Sequence, residues 1–208
     1  MSDLPKFVQI NEEGPREGFQ IEKGPISTER KVELVDALSE TGLSQIQVAS
    51  FVNPKRVPGW ADADEVVKRF RPKEGVRYTA LWLNDKGLIR ALGHTPKLTI
   101  KGSISLTASE KFLLRNQRRT LAENVEAQRG MIQLYRENGV TVERASIMAA
   151  FGCNFEGDIP TERVLEMVRT IMALADEFGL TIKTVSLADT MAWATPADIT
   201  RVVGAVRE

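Results

Sequence analysis

Short apolar runs alternate with longer amphipathic segments along this chain of 208 residues, and this alternation restricts the fold more than any other feature. Each run is followed by a segment with apolar residues at helical spacing. The runs, rich in β-branched or apolar residues and of strand length, are KFVQI, LSQIQVASF, VRYTALWL, KLTIKGSISL, VERASIMAAF and LTIKTVSLA. Such alternation builds a parallel sheet, either open and doubly wound or closed into a (β/α)8 barrel. No shift in composition marks a linker, so residues 1–208 are predicted to form a single domain.

Several helix boundaries are readable from the residues that begin or end them. Ser27 precedes an apolar ladder with an acidic residue in its first turn, and Pro160 precedes a second ladder. Gly42, Gly139 and Gly179 stand where three helices should end, because glycine adopts positive φ without steric cost. The segments between strands and helices are therefore predicted to be short.

Charge and composition exclude several classes of partner. The chain carries 28 basic and 28 acidic side chains, so bulk charge attracts neither nucleic acid nor an anionic membrane. The opening MSDLPK lacks an apolar signal core, and no run approaches the roughly 18 apolar residues of a membrane span. Cys153 is the single cysteine and has no intrachain disulfide partner. These features predict a cytoplasmic protein.

The residues that follow each strand are the ones to search for a site, because both candidate architectures bind ligands at the carboxyl ends of their strands. Polar or glycine-rich residues occupy these ends at 12–20, 50–55, 84–86, 103–107, 151–157 and 189–190. The charged side chains offered there are Arg16, Glu17, Lys55, Lys86, Glu156 and Asp189. All six ends are expected to converge on one face.

Several of these residues also have a purely structural interpretation. Asn84 and Asp85 are suited to capping a helix, while Lys55 and Lys86 are of a type usually found in solvent. Cys153 is of a type usually buried as a small hydrophobic residue. His94, the only histidine, lies just before a predicted strand, which would place it at the end opposite the site and make it a poor base or metal ligand.

The stretch EEGPREG, residues 12–18, combines charge with residues typical of turns. Arg16 carries a permanent charge suited to an enolate or carboxylate, and Glu17 is a hard oxygen ligand for a divalent cation. Gly14, Pro15 and Gly18 could shape a backbone that presents both side chains. Taken alone, the stretch favours an ordinary charged turn over a site.

Five ordered motifs together resemble one enzyme family. They are GPREGFQ at 14–20, SFVNPKRVP at 50–58, NDKG at 84–87, GCNFEG at 152–157 and SLADT at 186–190. In this order and spacing they resemble the 3-hydroxy-3-methylglutaryl-CoA lyase branch of the metal-dependent carbon–carbon lyase and synthase superfamily. The resemblance runs from about residue 6 to the end of the chain. It implies a TIM (β/α)8-type barrel, of which this chain holds about six βα units.

The resemblance also implies roles for individual residues. Arg16 would polarise the thioester carbonyl and stabilise an enolate, and Glu17 would stand where the family has a metal-binding aspartate. The other residues it implies are catalytic Glu12, Gln20 and Asp189 and substrate-binding Asn53, Lys55, Asn84, Lys86 and Thr190.

The implied reaction is retro-aldol cleavage of a 3-hydroxyacyl-CoA, either 3-hydroxy-3-methylglutaryl-CoA or a related acyl-CoA, to acetyl-CoA or a relative plus a keto acid. It needs a base for the hydroxyl proton, a charge that holds the departing enolate, and a cation that holds oxygens. The cation would be Mg²⁺ or Mn²⁺, with Zn²⁺ also open. The partner is an acyl-CoA, without nucleic acid or membrane, and a homo-oligomer is possible. The alternatives are a Claisen-type synthase or carboxyltransferase of the same superfamily, or a catalytically inactive scaffold.

Three departures from the family pattern bear on these implications. Glu17 replaces an aspartate, and Gln47 on the second strand replaces a glutamate, which removes a carboxylate near the site. Both changes favour an acyl-CoA whose acid portion differs from 3-hydroxy-3-methylglutarate. The family's His-x-His pair, the asparagine on its eighth strand and the cysteine on its glycine-rich loop have no counterpart here, so the chain is expected to be a fragment of a longer enzyme or to close by association.

Overall fold

A computed structural model describes residues 5–208, and these divide into two compact units, the first ending at Ile100 and the second beginning at Lys101. Each unit contains a sheet of three parallel strands. The strands carry helices between them in the order that the sequence pattern predicts. The six strand-and-helix repeats are confirmed, three in each unit.

The first unit begins with a very short strand. Its elements, in chain order, are β1 (Asn11–Glu12), α1 (Gly14–Ile21), α2 (Thr28–Ser39), β2 (Gln45–Ser50), a 3₁₀ helix (Pro58–Trp60), α3 (Ala63–Arg69), β3 (Arg77–Leu81) and α4 (Asp85–Leu92). The strand order is β1-β2-β3. The carboxyl ends of the three strands therefore share one edge of the sheet.

The second unit repeats the scheme and adds a hairpin. Its elements are β4 (Gly102–Thr107), α5 (Glu110–Gln117), α6 (Leu121–Glu137), β5 (Val142–Met148), β6 (Gly152–Cys153), β7 (Gly157–Asp158), α7 (Thr161–Phe178), β8 (Thr184–Leu187) and α8 (Pro196–Arg207). The parallel order is β4-β5-β8, and β6 pairs antiparallel with β7. The hairpin directly follows the carboxyl end of β5.

Two predictions about the start of the chain are wrong. The run KFVQI is not a strand, because β1 pairs only from Asn11, opposite Gln45, where β2 itself begins. Phe7 and Val8 are consequently 80% and 68% exposed. EEGPREG does not form a turn either: helix α1 starts within it, since a proline is tolerated in the first helical turn, where its missing N–H would be unpaired in any case.

Side chains of the first sheet alternate between an apolar and a polar face. Ile46 and Tyr78 are buried on the helix side, where the Tyr78 hydroxyl donates to Ser39 Oγ of α2 at 2.8 Å. The residues next to Ile46 along β2 and next to Tyr78 along β3 face the other way, because successive side chains of a strand point to opposite faces. We call this opposite side the polar sheet face; it carries Gln45, Gln47, Arg77 and Thr79.

The predicted helix boundaries are confirmed. Ser27 Oγ accepts a hydrogen bond from the Arg30 N–H at 3.3 Å, and Pro160 immediately precedes α7. Gly42, Gly139 and Gly179 have φ of 84°, 65° and 64° at or just beyond the ends of α2, α6 and α7. Within residues 5–208, none of the helices combines the length and apolar character needed to cross a membrane.

Candidate functional site

Arg16 is a largely enclosed charged group at the strand ends of the first unit. Its side chain is 12% exposed although it lies in the first turn of α1, directly after β1. Arg16 Nε donates to Gln47 Oε1 at 2.6 Å, and its two terminal nitrogens lie 2.5 Å from Glu17 Oε1 and 3.2 Å from Glu13 Oε2. We call these four residues the Arg16 cluster. Three different groups fix the guanidinium, so its orientation is set before any ligand binds.

The backbone beneath Arg16 is also anchored. Trp60 Nε1 donates to the Arg16 carbonyl oxygen at 2.9 Å, and the Trp60 ring meets Phe19 edge to face with centroids 5.8 Å apart. A Cβ added at Gly59 would lie 2.5 Å from the Phe19 carbonyl oxygen, so only glycine permits this approach. Helix α1 is therefore held against the 3₁₀ helix that follows β2.

The other two predicted catalytic residues of this unit lie on either side of Arg16. Glu12 ends β1, and its Oε1 accepts from the Gly14 N–H at 2.5 Å, so the carboxylate turns back onto the start of α1. Gln20 is exposed in the last turn of α1. Their catalytic roles stay predictions.

The predicted substrate-binding residues that follow β2 and β3 are exposed, and two of them accept hydrogen bonds from the backbone. Asn53 Oδ1 accepts from the Lys55 N–H at 2.9 Å, which fixes the loop after β2. Asn84 Oδ1 accepts from the Gly87 N–H at 2.9 Å, which makes Asn84 the cap of α4. Lys55 and Lys86 are exposed. The capping interpretation of Asn84 is confirmed, while substrate binding by these four residues stays a prediction.

Two hydroxyl groups on β2 and β3 are buried without a hydrogen-bond partner. Thr79 Oγ1 belongs to the residue of β3 that is in register with Gln47 of β2. Ser50 Oγ lies at the last residue of β2, which is itself 0% exposed. A buried polar atom left unpaired costs roughly 1–3 kcal/mol, so each marks a place where a ligand atom would be stabilising.

In the second unit, Asp189 organises the loop that follows β8. Asp189 Oδ1 accepts from the Trp193 N–H at 2.8 Å, and Oδ2 accepts from the Ala194 N–H at 3.0 Å. Thr190 Oγ1 accepts from the Ala149 N–H at 2.8 Å, at a residue with φ of 51° just after β5. Asp189 thus fixes the loop after β8, and Thr190 joins the ends of β5 and β8. An ionised carboxylate has about four acceptor positions, so these bonds leave Asp189 able to accept others.

Trp193 reinforces the same junction. Its Nε1 donates to Asn154 Oδ1 at 2.7 Å. The ring lies so close to Gly152 that an added Cβ there would be 2.4 Å from Trp193 Cδ2. The loop after β8 is therefore packed directly against the start of the hairpin.

Glu156 lies in the turn between β6 and β7 and connects the hairpin to the start of α5. Its Oε2 accepts from Ser109 Oγ at 2.6 Å, and Ser109 caps α5. Cys153 is 0% exposed with its Sγ 3.0 Å from Ser109 Oγ. The prediction that Cys153 is buried is confirmed, and Glu156 has a structural contact.

His94 belongs to a group that ties α3 to the end of α4. His94 Nε2 lies 2.8 Å from Asp64 Oδ1, and Arg90 donates to Asp64 Oδ2 at 2.6 Å. Burial opposes ionisation of Asp64, yet hydrogen bonds from His94 and Arg90 hold the pKa of this carboxyl below its usual value. His94 also stacks on Phe51 at 5.6 Å. Because Phe51 directly follows β2, His94 lies nearer the strand ends than its place in the sequence predicts.

The described residues do not complete the metal site that the resemblance implies. Within residues 5–208, no group of three or more His, Cys, Asp or Glu side chains is arranged to hold a metal ion. Glu17, the predicted ligand, is 51% exposed and has one oxygen on Arg16. It can offer a hard oxygen but not a full coordination set.

Sequence reasoning missed the contacts that hold this site together. The family pattern identifies Gln47 only as a lost carboxylate, whereas in the structure it binds Arg16 directly. The sequence does contain a signal for a polar sheet face, because Gln45 and Gln47 stand two residues apart on a mostly apolar strand. Trp60 and Trp193 carried no comparable signal, because their partners are 44 and 39 residues away in the chain.

Comparisons with known proteins agree with this architecture. The HMGL-like family model matches residues 7–208. A hydroxymethylglutaryl-CoA lyase of Bacillus subtilis is 35% identical over 97% of this chain and 64% of its own length. A solved hydroxymethylglutaryl-CoA lyase from Pseudomonas aeruginosa has a TM-score of 0.83 and 35% identity, covering 99% of this chain and 65% of that one. An HMG-CoA lyase from Acinetobacter baumannii, solved with coenzyme A and 3-methylmalate, has a TM-score of 0.81 and 29% identity, covering 99% and 64%.

The chain thus spans slightly less than two thirds of the relatives it matches. These lyases are TIM barrels, so the predicted fold class is confirmed, with six βα units in this chain. The match extends through all five motifs on which the resemblance rested. The chain belongs to the HMGL-like family.

Proposed function

We propose that this protein is a carbon–carbon lyase that cleaves a 3-hydroxyacyl-CoA by a retro-aldol reaction, giving acetyl-CoA or a relative and a keto acid. The observation that carries the proposal is the guanidinium of Arg16, enclosed and oriented at the carboxyl end of β1. A preorganised positive charge at this edge of a parallel sheet is suited to charge that develops during a reaction. Membership of the HMGL-like family supports the same reaction class.

The reaction needs charge stabilisation more than covalent chemistry. The 3-hydroxyl loses its proton, the bond between C2 and C3 breaks, and the electron pair moves onto the thioester carbonyl to give an enolate. Protonation of that enolate at C2 releases acetyl-CoA or its relative. Arg16 would stabilise the enolate oxygen, and Glu12, Gln20 and Asp189 are proposed to take part in the proton transfers.

A divalent cation is consistent with the family, which is metal-dependent. We propose Mg²⁺ or Mn²⁺, with Zn²⁺ as a further candidate, and Glu17 as one oxygen ligand. The cation would supply positive charge that polarises substrate oxygens. The half-exposed carboxylate of Glu17, next to the fixed Arg16, supports this placement.

The acyl-CoA is the proposed partner, since a relative was solved with coenzyme A and 3-methylmalate. We propose that Asn53, Lys55, Asn84, Lys86 and Thr190 contribute to its binding. Each follows the carboxyl end of its own strand, which is β2, β3 or β8, and parallel α/β folds bind ligands at such strand ends. A cytoplasmic location and self-association belong to the same proposal.

A panel of CoA esters tests the function. Purified protein is incubated with Mg²⁺ or Mn²⁺ and 3-hydroxyacyl-CoA esters that differ in the acid portion, and the products are identified by mass spectrometry. We expect at least one ester to yield a shorter acyl-CoA and a keto acid. Binding of esters by calorimetry without cleavage of any would instead support the inactive scaffold. Carbon–carbon bond formation from the products alone would support the synthase.

A further inference from the structure

Lys31 is a buried charged residue to which the proposed reaction assigns no role. It lies in the first turn of α2 and is only 3% exposed, whereas lysine is rarely buried unless it is paired. Lys31 Nζ donates to the Gly59 carbonyl oxygen at 2.5 Å and to Asp62 Oδ1 at 2.6 Å. These two acceptors stand on either side of Trp60 in the chain. Lys31 therefore holds the 3₁₀ helix and the residues after it at two points.

The carboxylate of Asp62 is directed toward α2 and not toward its own helix. Asp62 directly precedes α3, a position from which an aspartate ordinarily caps the helix that follows. Here its Oδ1 is bound to Lys31, and its Oδ2 accepts from Thr28 Oγ1 at 2.7 Å. Both carboxylate oxygens thus connect the start of α3 to the first turn of α2.

Two aromatic rings extend these contacts to α1. Lys31 Nζ lies 5.2 Å from the centroid of the Trp60 ring and 5.9 Å from that of Phe19, distances at which an ammonium group is attracted to a ring. Phe19 is on α1, and Trp60 Nε1 donates to the Arg16 carbonyl oxygen at 2.9 Å. Trp60 is therefore a single residue that links Lys31 to the backbone of Arg16.

Stability alone does not account for a buried ion pair of this kind. Taking two charges out of water costs free energy that their attraction only offsets, so the pair of Lys31 with Asp62 contributes little net stability. Charge-assisted hydrogen bonds of defined length and direction do fix geometry. The geometry fixed here is that of the 3₁₀ helix, and the side chain of Trp60 in turn sets the position of the first turn of α1.

We propose that Lys31 is a positioning residue for the reaction: it fixes the 3₁₀ helix so that Trp60 holds Arg16 where its guanidinium meets the developing enolate. The inference rests on the proposed function, since Arg16 is the group that acts on the substrate. Misplacing a reacting or stabilising group by about 1 Å can lower a rate about 100-fold. Loss of Lys31 should lower kcat more than it affects KM, because the enolate charge develops only in the transition state.

Lys31→Met tests the proposal, because methionine is also unbranched but carries no charge. Steady-state kinetics with an ester that wild type cleaves should show kcat lowered about tenfold or more and KM changed less than about threefold. Trp60→Phe removes the indole N–H and keeps an aromatic ring, and it should also lower kcat. Because Lys31 acts through Arg16, adding Lys31→Met to Arg16→Lys should lower kcat by less than about a further threefold.

Two further variants separate positioning from a general loss of stability. Tyr78→Phe is the matched control, because it removes a buried hydroxyl that binds Ser39 Oγ, also on α2, on the side of the sheet opposite the polar sheet face. We expect it to keep the kcat of wild type even where thermal unfolding shows a lower Tm. Lys31→Met combined with Asp62→Asn leaves no unpaired buried charge, so it provides the same kinetic test if Lys31→Met alone does not fold.

The outcomes distinguish this inference from the proposed function. If wild type cleaves an ester and the folded Lys31 variants have its kcat, the positioning role is overturned and the lyase proposal stands. A loss of kcat in the Arg16→Lys background as large as that in wild type would also overturn the role, because Lys31 would then act independently of Arg16. If wild type cleaves none of the esters, both proposals are overturned.

Discussion

At the scale of single residues, Arg16 is the group on which catalysis should depend most. Lysine at this position keeps the charge but lacks the planar fork that meets Gln47, Glu13 and Glu17. We expect Arg16→Lys to lower kcat/KM for the cleaved ester by about 100-fold or more, the scale of losing one preorganised donor. Steady-state kinetics with the ester identified by the substrate panel would measure this loss of kcat/KM.

Arg30→Lys provides the control for that substitution. Arg30 is on α2, its side chain is 74% exposed, and its ion pair is with Glu33 on the same helix. Surface changes of this kind leave stability within about 0.5 kcal/mol, so its kcat/KM should match wild type. Equal activities for Arg16→Lys and Arg30→Lys would show that Arg16 has no role in the reaction.

Glu17 is the residue whose proposed role can be tested by metal binding alone. Shortening it to aspartate withdraws the carboxylate by about one carbon–carbon bond, whereas metal sites tolerate only about 0.2 Å in ligand distances. We expect Glu17→Asp to weaken Mn²⁺ binding by roughly tenfold or more, measured by calorimetry or electron paramagnetic resonance. Glu13→Asp, which shortens the other carboxylate on Arg16, should have little effect. Identical Mn²⁺ titrations for wild type and Glu17→Asp would exclude Glu17 as a ligand.

Local sequence revealed the charged residues of the site but not their partners. Arg16 and Glu17 stand out because both are charged and follow a short apolar run. The contact of Arg16 with Gln47 spans 31 residues and depends on how β1 and β2 pair. Register of this kind is set by the whole sheet, so no local pattern could have predicted the contact.

At the scale of elements, the junction between β5 and β8 depends on Gly152. A Cβ there would lie 2.4 Å from the Trp193 ring, so Gly152→Ala must displace that ring or the backbone. We expect a loss of about 1–3 kcal/mol in the free energy of unfolding, measured with urea. When Trp193→Ala is also present, Gly152→Ala should lower the free energy of unfolding by a smaller amount, because the clash is then removed.

Gly130→Ala should stabilise the protein, whereas Gly152→Ala should destabilise it. Gly130 lies inside α6, and a Cβ there would meet no atom within 4 Å. Alanine should stabilise this helix by roughly 0.5–1 kcal/mol. If Gly152→Ala were as well tolerated as Gly130→Ala, the packing of Trp193 on Gly152 would not hold in solution.

Helix α8 should respond to acid through its capping residue. Bonds from Thr195 and Arg201 lower the pKa of Asp198 from 3.8 to about 2. Because the folded pKa is the lower one, its contribution to stability is complete above pH about 4 and disappears as pH falls toward 2. Comparing urea unfolding of wild type and Asp198→Asn between pH 6 and 2 should show a difference that shrinks across this window. A difference independent of pH would contradict the assignment.

At the scale of the whole molecule, the order of elements was predictable and the start of the chain was not. Strand and helix periods are local, so the six repeats are visible in the sequence and appear in the structure. The run KFVQI has strand character, but a strand forms only beside a partner, and pairing with β2 begins at Asn11. We propose that both compact units belong to one catalytic domain, as the unbroken alternation predicts.

Cleavage of a carbon–carbon bond in a 3-hydroxyacyl-CoA can be measured through the stoichiometry of its products. For the best ester of the panel, the products are followed by chromatography and mass spectrometry in the presence of Mg²⁺ or Mn²⁺. We expect each molecule of ester consumed to yield one molecule of shorter acyl-CoA and one of keto acid, and Arg16→Lys to slow the formation of both together. Consumption of the ester with release of free CoA and the intact acid would show thioester hydrolysis instead, and would rule out the proposed lyase reaction.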